Sequence, residues 1–103
     1  MSLRLETFSF LPPLTSEEVR AQIGYILDQG WLPIVEYSER PGPDETLWQW
    51  WKLPMLDSPT VDHVAAEIEA CTEAHPGAYV RLVGFDPTVR QRARTALVVH
   101  RPR

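Results

Sequence analysis

Proline sets the limits on what this chain can fold into. Ten prolines fall within 103 residues, and each removes a backbone donor and restricts the residue before it. Leu11-Pro12-Pro13-Leu14 cannot be helix interior, so residues 1–14 read as an extended arm. Pro41-Gly42-Pro43-Asp44 marks the stretch from Ser38 to Glu45 as a turn-forming loop, Pro54 ends a strand, and His75-Pro76-Gly77 closes a helix.

The segments between these breaks carry clear periodicities. Thr15-Ser16-Glu17-Glu18 reads as a capping box, with Thr15 as N-cap and Glu18 reaching back to it. Val19, Ile23, Ile26 and Leu27 follow at helical spacing, and Gly30 supplies a stop. A second helix is expected to start near Ser58-Pro59, with the serine as cap and the proline at the first helical position. It places Val61, Val64, Ala65, Ile68 and Cys71 on one face and Asp62, Glu67, Glu69 and Glu73 on the other. Strands are expected at Trp31 to Tyr37, Thr46 to Leu53, Tyr79 to Phe85 and, after the turn at Asp86-Pro87, Ala96 to His100. The order αββαββ with short connections gives an α+β two-layer sandwich, a four-stranded antiparallel sheet with two helices on one face.

The whole chain, 1–103, is expected to form one domain, because its length is that of a single domain. At 44% hydrophobic and 23% charged residues its composition is globular rather than disordered. It has neither the apolar run of roughly 18–20 residues that a membrane helix needs nor an apolar signal core at its start, so it reads as a cytoplasmic protein made in mature form. Cys71 is the single cysteine, which excludes an internal disulfide and a cysteine-based zinc site.

Catalytic chemistry finds no foothold. His63, His75 and His100 stand singly in helix, turn and strand without metal-ligand spacing. Cys71 falls on an apolar helix face, as a structural thiol does. Neither a nucleophile elbow nor a phosphate-binding glycine loop occurs among the five glycines. Glu17 and Glu18 are explained by capping, and nothing in their spacing pairs Glu36 with Asp86. The chain is not expected to hold an active site of its own.

The sheet has features of a binding surface instead. Tyr79, Arg81, Val83 and Phe85 alternate with Val80, Leu82 and Gly84, while Leu47, Gln49, Trp51 and Leu53 alternate with Trp48, Trp50 and Lys52. Large apolar groups therefore stand on both faces, and two layers leave one face uncovered by the chain itself. Such surface calls for a partner, or for arm and loops folding back over it. Charge is also unevenly spread. Residues 1–80 hold 13 acidic and 4 basic groups, and residues 81–103 hold 1 and 6, including the cluster Arg90, Arg92 and Arg94. Such a tail could contact phosphate, but the net charge of -4 and the lack of a ribonucleoprotein signature argue against nucleic acid. Nine arginines against one lysine suit bidentate pairing with a protein partner's carboxylates.

Three stretches together resemble the small subunit of form I ribulose-1,5-bisphosphate carboxylase/oxygenase. Glu6-Thr7-Phe8-Ser9-Phe10-Leu11-Pro12-Pro13-Leu14 is similar to that family's Glu-Thr-x-Ser-Tyr-Leu-Pro-Pro-Leu arm. Trp48-Gln49-Trp50-Trp51-Lys52-Leu53-Pro54-Met55 resembles its Trp-x-x-Trp-Lys-Leu-Pro-Met strand, and Tyr79-Val80-Arg81-Leu82-Val83-Gly84-Phe85-Asp86 its strand ending in Gly-Phe-Asp. Phe10, Leu47 and Leu56 depart from residues usual there, and Pro87-Thr88 shifts the alignment by one. The short hairpin loop and the ending soon after His100 resemble the bacterial, green-type branch.

The resemblance implies a non-catalytic subunit that caps an octamer of large subunits, eight of each chain, and modulates carboxylation rate and CO2/O2 specificity. Magnesium and the carbamylated lysine would belong to the large subunit, so no cofactor is expected in this chain. It further implies large-subunit contacts from Glu6, Phe8, Phe10, Leu11, Pro12 and Pro13 of the arm and from Trp48, Trp51, Leu53, Pro54, Arg81 and Phe85. Glu39, Arg40, Pro41, Gly42 and Pro43 would face neighbouring small subunits and the central channel. The implied setting is a bacterial cytoplasm or a carboxysome, with no nucleic acid and no membrane as partner. An alternative is a small-subunit-like adaptor that binds assembled carboxylase within a scaffold.

Overall fold

Thr15 closes a complete capping box at the start of the first helix. Its hydroxyl accepts from the Glu18 amide at 3.1 Å, and its own amide donates to the Glu18 carboxylate at 2.8 Å. In the computed structural model, which describes residues 6–7, 14–39, 48–52, 59–88 and 92–101, this helix is α1, Ser16–Asp28. It ends in a Schellman arrangement: Gly30 takes a φ of 76°, its N–H reaches Leu27 O, and the Trp31 N–H reaches Ile26 O. The second helix, α2, spans Val61–Ala74. Its cap is Thr60, not the expected Ser58, because the Thr60 hydroxyl accepts from the His63 amide at 3.1 Å. Pro59 therefore precedes the cap rather than opening the helix.

Five strands form one sheet: β1 (Glu6–Thr7), β2 (Leu32–Ser38), β3 (Gln49–Trp50), β4 (Tyr79–Asp86) and β5 (Arg92–His100), in the spatial order β1-β5-β4-β2-β3. Strands β5, β4, β2 and β3 make the four-stranded antiparallel sheet. The arm, expected to be extended, contributes a short strand: Glu6 and Thr7 pair in parallel with Thr95 and Ala96. Strand β5 begins earlier than the expected Ala96, because Arg92 and Arg94 belong to it rather than to a free basic tail. Of the expected strand Thr46 to Leu53, Gln49–Trp50 form β3 and residues 46, 47 and 53 lie outside the described residues; the chain bends at Trp51, whose amide still donates to Val35 O at 2.8 Å.

The core lies between the helices and one sheet face. Ile23 and Ile26 of α1, Val64, Ile68 and Cys71 of α2, and Val35, Val80 and Leu82 of the sheet form one buried cluster. Full burial of such side chains contributes about 1.5–3 kcal/mol each. Gly84 packs against Ile26 of α1. A Cβ there would lie 3.0 Å from Ile26 Cγ1 and 3.2 Å from Trp31 and Thr95. The opposite face is not bare, in contrast to the expectation from two layers: Ile34, Val83 and Ala96 are buried there, with Phe85 and Ala93 packed against them. Among the described residues, no helix is long and apolar enough to cross a membrane.

Candidate functional site

Register brings Trp50, Glu36, Arg81 and Val98 into one row across β3, β2, β4 and β5, on the face away from the helices. The Arg81 Nε donates to Glu36 Oε1 at 2.6 Å, with both side chains at least 85% buried (14% and 12% exposed). The Trp48 ring lies 4.2 Å from the Arg81 guanidinium carbon, so the cation sits between a carboxylate and an aromatic face. The Trp48 Nε1 hydrogen is buried without an acceptor. Trp50, one residue pair further out, is 52% exposed. Neutralised charge beside an exposed indole is the make-up of a protein-binding surface, since such a patch gains from covering apolar area without stripping water from a free ion.

A second polar group ties the end of β3 to α2. The Trp51 indole N–H donates to Glu67 Oε1 at 2.9 Å, and Lys52 Nζ lies 3.1 Å from the same carboxylate. His63 approaches it to 3.9 Å from one turn earlier in α2. These donors, the Trp51 indole first, hold the Glu67 carboxyl below the usual glutamate range, against the opposing effect of burial. Glu67 is thus not on a purely solvated face, as the helical pattern implied. Nearby, Tyr37 stacks on His75 at 4.0 Å and donates its hydroxyl to Gln49 at 3.0 Å, and Trp51 meets His75 edge-on.

The turn after β4 is organised by Asp86, which accepts from the Thr88 hydroxyl at 2.6 Å, the Thr88 amide at 2.9 Å and Arg94 at 3.1 Å. The two Thr88 bonds, then Arg94, lower its pKa. Glu36 and Asp86 therefore each serve a separate ion pair. Cys71 is fully buried, and burial pushes its thiol up to about 11. Among the described residues, no three His, Cys, Asp or Glu side chains gather where they could hold a metal ion.

The structure divides the sequence-predicted interface set. Trp48, Arg81 and Phe85 share the face away from the helices. Trp51 turns the other way, against the core beneath the helices. Glu6 lies in β1 beside β5, and Glu39 is exposed in the bend after β2. Phe8, Phe10, Leu11, Pro12, Pro13, Leu53 and Pro54 lie outside the described residues, as do Arg40, Pro41, Gly42 and Pro43 of the loop. Sequence reasoning missed Trp50 and Glu36 as parts of this surface. The alternation that pairs Trp48 with Trp50 was the available signal for the first, and the opposite charge of Arg81 on a neighbouring strand was a weaker one for the second.

Comparison with known proteins agrees along the full chain. Residues 5–102 match the family "Ribulose bisphosphate carboxylase, small chain". The chain is 47% identical over 103 residues to the ribulose bisphosphate carboxylase small subunit of Xanthobacter flavus, covering 99% of this chain and 77% of that one. It is 43% identical to the small subunit of Nostoc sp., covering 96% and 90%. Among solved structures, a chain of RuBisCO from Galdieria partita superposes with a TM-score of 0.86 at 35% identity, covering 93% of this chain and 70% of that chain. A two-helix, antiparallel-sheet fold, matched over nearly its whole length by these relatives, places the chain in the family of ribulose bisphosphate carboxylase small chains.

Proposed function

We propose that the chain acts as the non-catalytic small subunit of a bacterial ribulose bisphosphate carboxylase, docking on the large subunit through the face that carries Trp48, Trp50 and Arg81. It is one of eight small chains that cap eight large ones, and it modulates carboxylation rate and CO2/O2 specificity from outside the active site. By the family resemblance, Phe8, Phe10, Leu11, Pro12, Pro13, Leu53 and Pro54 also contact the large subunit, and Glu39 to Pro43 meet neighbouring small subunits. The observation that carries this reading is the half-exposed Trp50 beside the buried Glu36–Arg81 pair, in a chain similar to small subunits over nearly its whole length. Co-expression with the cognate large subunit tests it. The two chains are expected to co-purify, with carboxylase activity lower when the small chain is withheld. Separate elution and unchanged activity would overturn the proposal.

A further inference from the structure

Strand β3 is a weakly supported edge. Two of its residues are in register with β2, Gln49 with Tyr37 and Trp50 with Glu36, and the Trp51 amide adds one bond to Val35 O. A strand this short depends on its side chains for its place in the sheet. On the helix side, Tyr37 holds Gln49 and Trp51 packs on the core and on His75, while Glu67 is the anchor that α2 offers to the Trp51 indole. The Glu67 side chain is 17% exposed, whereas those of Lys52 and His63 are 59% and 56% exposed. Lys52 and His63 reach in from solvent and contribute little, so among the contacts of Glu67 the Trp51 indole hydrogen bond at 2.9 Å is the one that matters. Glu67 stands between Val64, Ile68 and Cys71, which fix α2 to the core. It therefore presents a carboxylate from a rigid element to the end of a weak one.

We infer that Glu67 is a positioning residue for partner binding: by holding Trp51 on α2 it fixes β3, and so sets where Trp48 and Trp50 stand on the opposite face. The inference rests on the docking reading above, and Glu67 itself touches the partner nowhere in it.

The test uses the full chain and the cognate carboxylase large subunit, comparing Glu67→Leu with Glu67→Gln, which keeps an oxygen acceptor for the indole. Hydrogen exchange at the Trp51 amide reports the position of β3, and titration against the large subunit reports binding. Glu67→Leu is expected to lose Trp51 amide protection and to bind about tenfold more weakly, with a cooperative melt retained. Glu67→Gln is expected to recover most of both. Unchanged protection and affinity in Glu67→Leu would overturn the inference, and so would equal losses in the two variants. Should Glu67→Leu not fold, Trp51→Phe, which removes the donor and keeps a ring, is expected to give the same two losses, and wild-type values in it would overturn the inference. A wild-type chain that fails to bind the large subunit refutes the docking reading alone, because amide exchange still decides whether Glu67 holds β3.

Discussion

The Arg81 guanidinium carbon lies 4.2 Å from the centre of the Trp48 ring while its Nε donates to Glu36 at 2.6 Å. A side chain held on two sides in this way is fixed in one rotamer. Removing it strands a carboxylate that is only 12% exposed. Arg81→Leu is expected to destabilise the chain by about 3 kcal/mol in urea unfolding, and the double variant Arg81→Leu/Glu36→Leu by clearly less, because the uncompensated charge is then gone. Equal losses in the single and double variants would show that the pair is not the source.

For Trp50 the proposed docking predicts an effect on binding rather than on folding. With half of its surface in water, Trp50→Ser is expected to change unfolding free energy by less than about 0.5 kcal/mol. A central interface tryptophan typically carries about 2 kcal/mol or more of binding energy, so large-subunit affinity is expected to fall by about thirtyfold. Affinity at the wild-type level would remove Trp50 from the interface.

Gly84 makes a packing prediction. Any Cβ there presses on Ile26 of α1, on Trp31 just after it and on Thr95 of β5 at 3.0–3.2 Å. Gly84→Ala is expected to lower stability by about 1–3 kcal/mol, the usual range for overpacking. A melt equal to or above that of the wild type would show that the helix layer can yield.

Stability should fall in acid, with a defined sign. Glu67 and Asp86 have folded-state pKa values below their ordinary 4.5 and 3.8. The stability they contribute is present above those ordinary values and is lost as pH falls through the lower folded ones. Thermal melts are expected to be flat from pH 7 to 5 and to drop below about pH 4.5, with a shallower drop in Glu67→Gln/Asp86→Asn. An equally steep drop in that variant would place the acid sensitivity elsewhere.

Much of this architecture was legible because local signals agreed with the tertiary fold. The Thr15–Glu18 box, the Ile23 and Ile26 spacing and the Gly30 stop each specify the same helix, and the same holds for the Val64, Ile68 and Cys71 stripe. What was missed depends on long-range contacts. Nothing in Glu6-Thr7 announces a strand, since two residues have no period and their pairing depends on β5. Arg92 and Arg94 disguised the start of β5 as a basic tail, although Arg94 lies 3.1 Å from Asp86. The run Trp48-Gln49-Trp50-Trp51 reads as continuous strand until Trp51 turns to Glu67, sixteen residues away. The same turn explains why Trp51 packs on the core while Trp50 stands exposed on the other face.

The central claim is that this chain works as part of a carboxylase assembly. Native mass measurement of the complex formed on co-expression with the cognate large subunit tests it most directly. One species containing eight large and eight small chains is the predicted result; a free 11.8 kDa chain beside an assembly of large subunits alone would contradict it.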